Sequence, residues 1–171
     1  MTAAGQTELV ALFADMGQRI GLSRPAGQCF AAIWRAAQAP SADDLVTELG
    51  LSRSNVSTAL KELRSWGLIG RARAPGDRRD RFTAPADPWA IARQILAERQ
   101  RRELAPALDR LYAIEAVTAD ARVAALCEVL EGFAGWYGGL ARLDPGELAA
   151  HVTEHPASDD NGRKKKKKKK N

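Results

Sequence analysis

Twelve side chains within a 30-residue stretch have the types and spacing to read a polyanion. Ser52, Arg53, Ser54, Asn55, Ser57, Thr58 and Lys61 come first, and Arg71, Arg73, Arg78, Arg79 and Arg81 follow. Short hydroxyls, an amide and arginine forks are the groups that pair with base edges in the major groove of duplex DNA. Asn55 is suited to adenine and Arg53 to guanine, and Lys61 is placed for phosphate. A face of Ser, Thr and Lys is also what any solvated helix presents, so the composition of the stretch has to carry part of the argument.

The charge distribution supplies it. The chain of 171 residues has a net charge of +5, but Arg163 and the seven lysines 164–170 distort that average. Residues 1–162 hold 18 basic and 21 acidic groups, whereas residues 50–82 hold 8 basic and 3 acidic ones. A basic island in an acidic protein is what phosphate neutralisation requires. The body uses seventeen arginines and one lysine, Lys61, so the lysine run departs from its usage. That run would add only sequence-independent affinity for DNA.

The elements that position these residues follow from periodicity and punctuation. Leu9, Phe13, Met16 and Ile20 mark one face of an amphipathic helix that stops at Gly21. A second helix begins near Pro25, buries Phe30, Ile33, Trp34 and Ala37, and ends before Pro40. Ser41 caps a third, with Asp43 and Asp44 in its first turn, Leu45, Val46 and Leu49 inward, and Gly50 as its terminator. Ser52 caps the next, Arg53 to Trp66, which buries Val56, Leu60 and Leu63 and closes at Gly67. Two short helices joined by so tight a glycine-containing turn predict a helix-turn-helix.

Leu68 to Ala74 then alternates, with Ile69 set against Arg71 and Arg73. Pro75-Gly76-Asp77 signals a turn, and Arg81-Phe82-Thr83 returns as a second strand. Asp77 or Asp80 can orient a guanidinium of this hairpin, whose tip arginines can enter a minor groove or grip phosphates. A hairpin in this position is a wing.

Asp87-Pro88 opens a helical region with Ile91, Ile95, Leu104, Leu108, Leu111 and Val117 as contacts, which Pro106 should kink or split. From Val123 a heptad-like seam pairs Val123, Leu130 and Tyr137 with Leu126, Phe133 and Leu140. Glycines 132, 135, 138 and 139 leave that helix dependent on packing partners. The domain reading is therefore 1–86 for a winged helix-turn-helix with its N-terminal helix, 87–143 for a helical dimerisation region, and 144–171 for a disordered tail. The fold class is mainly α, with a small antiparallel hairpin and helical extensions at both ends.

The stretch from Leu45 to Phe82 resembles the MarR superfamily of regulators. It carries Leu51-Ser52-Arg53-Ser54-Asn55-Val56-Ser57-Thr58-Ala59-Leu60, Leu63, Gly67-Leu68-Ile69 and Pro75-Gly76-Asp77-Arg78-Arg79-Asp80. Together with Gly21-Leu22-Ser23-Arg24-Pro25-Ala26-Gly27 it is similar to the GbsR-like branch, named for a repressor of glycine-betaine synthesis. The likeness is good over residues 9 to about 118, weaker to 143 and absent beyond. It implies a dimeric, mostly helical repressor that reads a palindromic operator, dimerises through its terminal helices and responds to a small-molecule effector. The DNA contacts it implies fall on Ser52 to Lys61 and on Arg78 to Arg81.

Other chemistries find little footing. There is no glycine-rich phosphate loop and no paired nucleophile and base, so an enzyme is not expected, nor a cofactor. His151 and His155 stand i and i+4 apart, but lack further ligands apart from Glu154. Trp89, Trp136 and Tyr137 are the aromatics against which a quaternary ammonium would rest, yet neighbours on a helix point apart, and none is assigned as a ligand. Cys29 and Cys127 read as buried free thiols in a reducing cytosol. No apolar run reaches the roughly 18 residues of a membrane span and no secretory signal is visible, so the expected location is cytoplasmic. The competing reading is a winged-helix protein-interaction module that never binds DNA.

Overall fold

A computed structural model describes residues 2–73 and 79–154. The elements run α1 (Ala3–Arg19), α2 (Arg24–Arg35), α3 (Ala42–Leu49), α4 (Arg53–Ser65), β1 (Gly70–Ala72), β2 (Arg81–Thr83), α5 (Pro88–Arg99), a π turn (Gln100–Leu104), α6 (Ala105–Thr118), α7 (Ala121–Arg142) and α8 (Pro145–Glu154). The chain is mainly helical with a two-stranded antiparallel wing, a winged helix-turn-helix with helices added at both ends.

Local signals set most boundaries. Ser23, Ser41 and Ser52 each turn a hydroxyl to the open amides of the helix that follows, and each such cap is worth about 1 kcal/mol. At Ser41 the exchange is reciprocal: Asp44 accepts from the Ser41 amide at 2.8 Å and returns its own amide to Ser41 Oγ at 3.3 Å. The hydrogen bonds from Ser41 hold the Asp44 carboxyl below the usual carboxylate range.

The main core gathers Phe30 and Ile33 of α2, Leu45 of α3, Val56, Leu60 and Leu63 of α4, and Trp66, Leu68, Ile69 and Phe82. α1 lies close on α2, since a Cβ on Gly27 would stand 2.5 Å from the Phe13 carbonyl oxygen. Ile91 and Ile95 of α5 pack against the same core. Cys29 and Cys127 are free and buried, and burial pushes the Cys29 thiol up to about 12.

Three expectations are corrected, and one, the split at Pro106, is met. α2 ends at Arg35, so Ala37 lies exposed beyond it. Residues 145–154, read as the start of a disordered tail, form a helix: Asp144 accepts from the Glu147 amide at 2.8 Å, and Leu148 is 1 % exposed. The remainder of that tail, with His155, lies outside the described residues. Pro106 sits in the first turn of α6, and the adjustment precedes it as the π turn, where the Ala105 amide reaches back to Gln100. A π turn relaxes the ladder at the point where proline cannot donate. Finally, the heptad seam on α7 is not buried as one stripe: Cys127, Ala134 and Leu140 are covered, whereas Leu126 and Phe133 stand 54 % and 55 % exposed.

Candidate nucleic-acid interface

The outward face of α4 is built by elimination. Val56, Ala59, Leu60 and Leu63 turn into the core, which leaves Arg53, Ser54, Asn55, Ser57, Thr58 and Lys61 exposed along one side. The 3.6-residue period makes that division. Ser52 is engaged locally: its Oγ accepts the Asn55 amide at 3.1 Å and lies 3.0 Å from Ser54 Oγ. This cap fixes the backbone of the first turn of α4, from which the Asn55 side chain projects. Arg53 is 3.0 Å from Asp43 of α3 with its side chain 80 % exposed, an ion pair that a phosphate can displace at little cost.

Glu62, absent from the candidates of the sequence reading, ties α4 to the start of α2. It accepts the Ser23 amide at 2.8 Å and the Ser23 hydroxyl. An acid beside Lys61 and Arg64 reads in sequence as a solvated helix charge, and only the 39-residue separation of its partner reveals otherwise.

The wing stands on the same domain. Its register pairs Gly70 with Thr83, Arg71 with Phe82 and Ala72 with Arg81. Placing Ile69 on the face opposite Arg71 and Arg73 is therefore corrected, because residues two apart in a strand share a face. Ile69 is buried because it precedes β1 and belongs to the core. Asp80 holds two of the hairpin arginines, at 3.2 Å from Arg71 and 3.3 Å from Arg73, the orienting role expected of Asp77 or Asp80. Arg79 is exposed, and its charge reaches Asp44.

Arg81 is turned the other way. Its Nη1 donates to the Ala39 carbonyl at 2.9 Å, and the Phe82 amide donates to the Pro40 carbonyl at 2.9 Å. Together with the bridge between Ser41 and Arg81, these bonds fasten the wing to the N-terminus of α3. The sequence pattern places Arg81 among the candidate DNA contacts because it cannot show that backbone lying alongside. Arg78 and the turn Pro75-Gly76-Asp77 lie outside the described residues. The structure thus brings Ser52–Lys61, Arg71, Arg73 and Arg79 onto one domain and gives Arg81 a fastening role.

Two cavities flank this domain and its extension. One of about 250 Å³ is apolar and lies between α1, α2 and α5, with Phe13, Met16, Phe30, Trp34 and Ile91 in its wall. Another, of about 290 Å³, is bordered by Glu103, Phe133, Trp136 and Tyr137. Trp136 and Tyr137 meet edge to face at 5.4 Å, although adjacent helix positions were expected to point apart. Trp89 is half-buried on α5, and His151 lies on α8. Among the described residues no helix is long and apolar enough to cross a membrane.

A tight helix pair, an outward polar face on its second helix and an arginine-bearing hairpin define a winged helix-turn-helix. Residues 14–80 match the MarR family. A solved crystal structure of a transcriptional regulator is similar at 22 % identity and a TM-score of 0.62, over 80 % of this chain and 95 % of that one. At that identity the likeness bears on the fold. No curated protein matches the sequence.

Proposed function

We propose that the protein is a cytoplasmic, homodimeric repressor of the GbsR-like branch, whose α4 enters the major groove of each half-site of a palindromic operator with its wing alongside. The observation that carries this reading is the polar, basic face of α4 beside a wing whose arginines are oriented by Asp80. Arg53, Ser54, Asn55, Ser57 and Thr58 read base edges. Lys61, Arg71, Arg73, Arg78 and Arg79 meet phosphates or the minor groove, and Arg81 supports the wing from behind. The half-sites lie about 10 base pairs apart, or a multiple of that.

Dimerisation is supported by a stripe on α7, where Leu126, Val129, Phe133 and Trp136 are each more than half exposed at helical spacing. Apolar area of that kind is what a second helix covers. The effector is a small molecule, and the apolar cavity between α1, α2 and α5 gives it a place at the junction of domain and extension.

The test is a salt titration of binding to duplex from the protein's own upstream region, against a random duplex. It uses the full chain and a version ending at Gly162. Preference for the upstream duplex by both proteins, cut roughly 5- to 150-fold by Asn55→Ala and weakened by Arg53→Ala, supports the reading. Equal binding to both duplexes, lost with the lysine run, overturns it.

A further inference from the structure

The far end of α4 is held from outside its own domain. A helix end leaves its last carbonyls without intrahelical donors, and here side chains from the helical extension supply them. Gln94 Nε2 of α5 donates to the Trp66 carbonyl at 2.8 Å. Arg102 Nη2, from the π turn, donates to the Ser65 carbonyl at 2.9 Å and to Ser65 Oγ at 3.0 Å. The same guanidinium lies over the Trp66 ring, 5.0 Å from its centroid, and its positive charge suits the negative end of the α4 dipole.

Arg102 is itself aimed. Its Nε donates to Glu98 at 2.6 Å, and Glu98, only 8 % exposed, takes a second guanidinium from Arg101 at 2.7 Å. A carboxylate held by two arginines fixes the plane of the fork that reaches Ser65.

None of these groups touches the face that reads DNA. Ser65 and Trp66 stand at the opposite end of a 13-residue helix from Arg53, about 20 Å away. α4 is also seated by Val56, Ala59, Leu60 and Leu63, so loss of Arg102 leaves that packing in place, and the Ser65 carbonyl can take a water instead. What the contacts do fix is the angle between α4 and the extension that carries the proposed dimer face.

We infer that Arg102 is a positioning residue for operator recognition, locking the orientation of α4 against the α5–π–α6 arm through Ser65 and Trp66. This inference rests on the DNA-binding reading proposed above. Both half-sites are read together only if the two copies of α4 keep a fixed separation and tilt. Random duplex, held through phosphates alone, tolerates a looser arrangement.

The experiment uses the full chain with Arg102→Ala and Arg102→Lys. One readout is the ratio of affinities for the upstream and random duplexes. The other is the distance distribution between spin labels at Ser57→Cys on α4 and Asp109→Cys on α6, with Cys29 and Cys127 replaced by alanine and labelled chains diluted in unlabelled ones. Arg102→Ala is expected to lower the ratio about tenfold by weakening the upstream duplex alone, and to broaden the distribution. Arg102→Lys, which keeps the charge without the fork, falls between.

If the alanine variant unfolds, the lysine variant decides by the same two readouts. A wild-type chain that prefers neither duplex fails the DNA reading and with it the role of Arg102. A wild-type preference that survives in Arg102→Ala, with an unchanged distribution, overturns the Arg102 assignment alone. Equal weakening on both duplexes overturns it too, since that is the signature of lost charge.

Discussion

Gly50 and Gly67 offer a matched pair of substitutions. Both close a helix, with φ of 63° and 67°, and an alanine in that left-handed region costs roughly 1–2 kcal/mol. The reduced freedom of the unfolded chain returns about 0.4–1 kcal/mol of that. At Gly50 a Cβ meets nothing within 4 Å, so Gly50→Ala should cost about 1 kcal/mol, the backbone cost alone. At Gly67 a Cβ would stand 2.6 Å from Gln94 Nε2. The glutamine is flexible and can withdraw, but in doing so it abandons the Trp66 carbonyl, to which it donates at 2.8 Å. A lost hydrogen bond adds about 1 kcal/mol, which makes Gly67→Ala about 2 kcal/mol in all. Urea unfolding followed by tryptophan fluorescence measures both variants in one protein. Combining Gly67→Ala with Gln94→Ala should cost less than the sum of the two, because the contact is already gone. Equal costs at Gly50 and Gly67, or a fully additive double variant, would refute the argument.

Two further outcomes follow from the geometry. The hydrogen bond from Arg101 chiefly, with Arg102 assisting, holds the Glu98 carboxyl below the usual carboxylate range against the effect of its burial. A folded-state value below the unfolded one means stability that is present at neutral pH and is lost as pH falls below roughly 4 toward the folded value. Thermal unfolding against pH should therefore show a steeper acid fall in the wild type than in Glu98→Gln, and coincident slopes would remove Glu98 as its source. On α7, Phe133→Ser with Trp136→Ser should give a monomer by sedimentation, with a melting temperature that no longer rises with protein concentration, since both rings are 55 % exposed in the single chain. A wild type that sediments as a monomer at micromolar concentration contradicts the dimer.

Local physics made most of the winged domain legible. Serine caps and glycine stops act within four residues, and the inward set of α4 follows from a 3.6-residue period, so Ser41, Ser52, Gly50, Gly67, Val56, Leu60 and Leu63 could be placed from spacing alone. What escaped depends on partners far along the chain. Arg81 turns toward a carbonyl 42 residues away, and Arg102 toward one 37 residues away. Residues 145–154 escaped for the same reason: a polar stretch opened by proline reads as tail until a surface exists to bury Leu148. The α7 seam was legible as a pattern, but periodicity cannot say whether its cover comes from the same chain.

The π turn between α5 and α6 also bears on how this chain can change by descent. A helix that takes in one residue more than its regular ladder needs absorbs it as such a turn. Losing a single codon within 100–104 would restore the ladder and leave a continuous helix with α6 facing α7 much as before, whereas the same loss inside α5 or α6 would turn everything beyond it by about 100°. Loss of residue 100 or 101 would still draw Arg102 from its place four residues after Glu98, and with it the bond to Ser65. This segment is accordingly the place in the arm where length can change by one residue while the packing beyond it is kept.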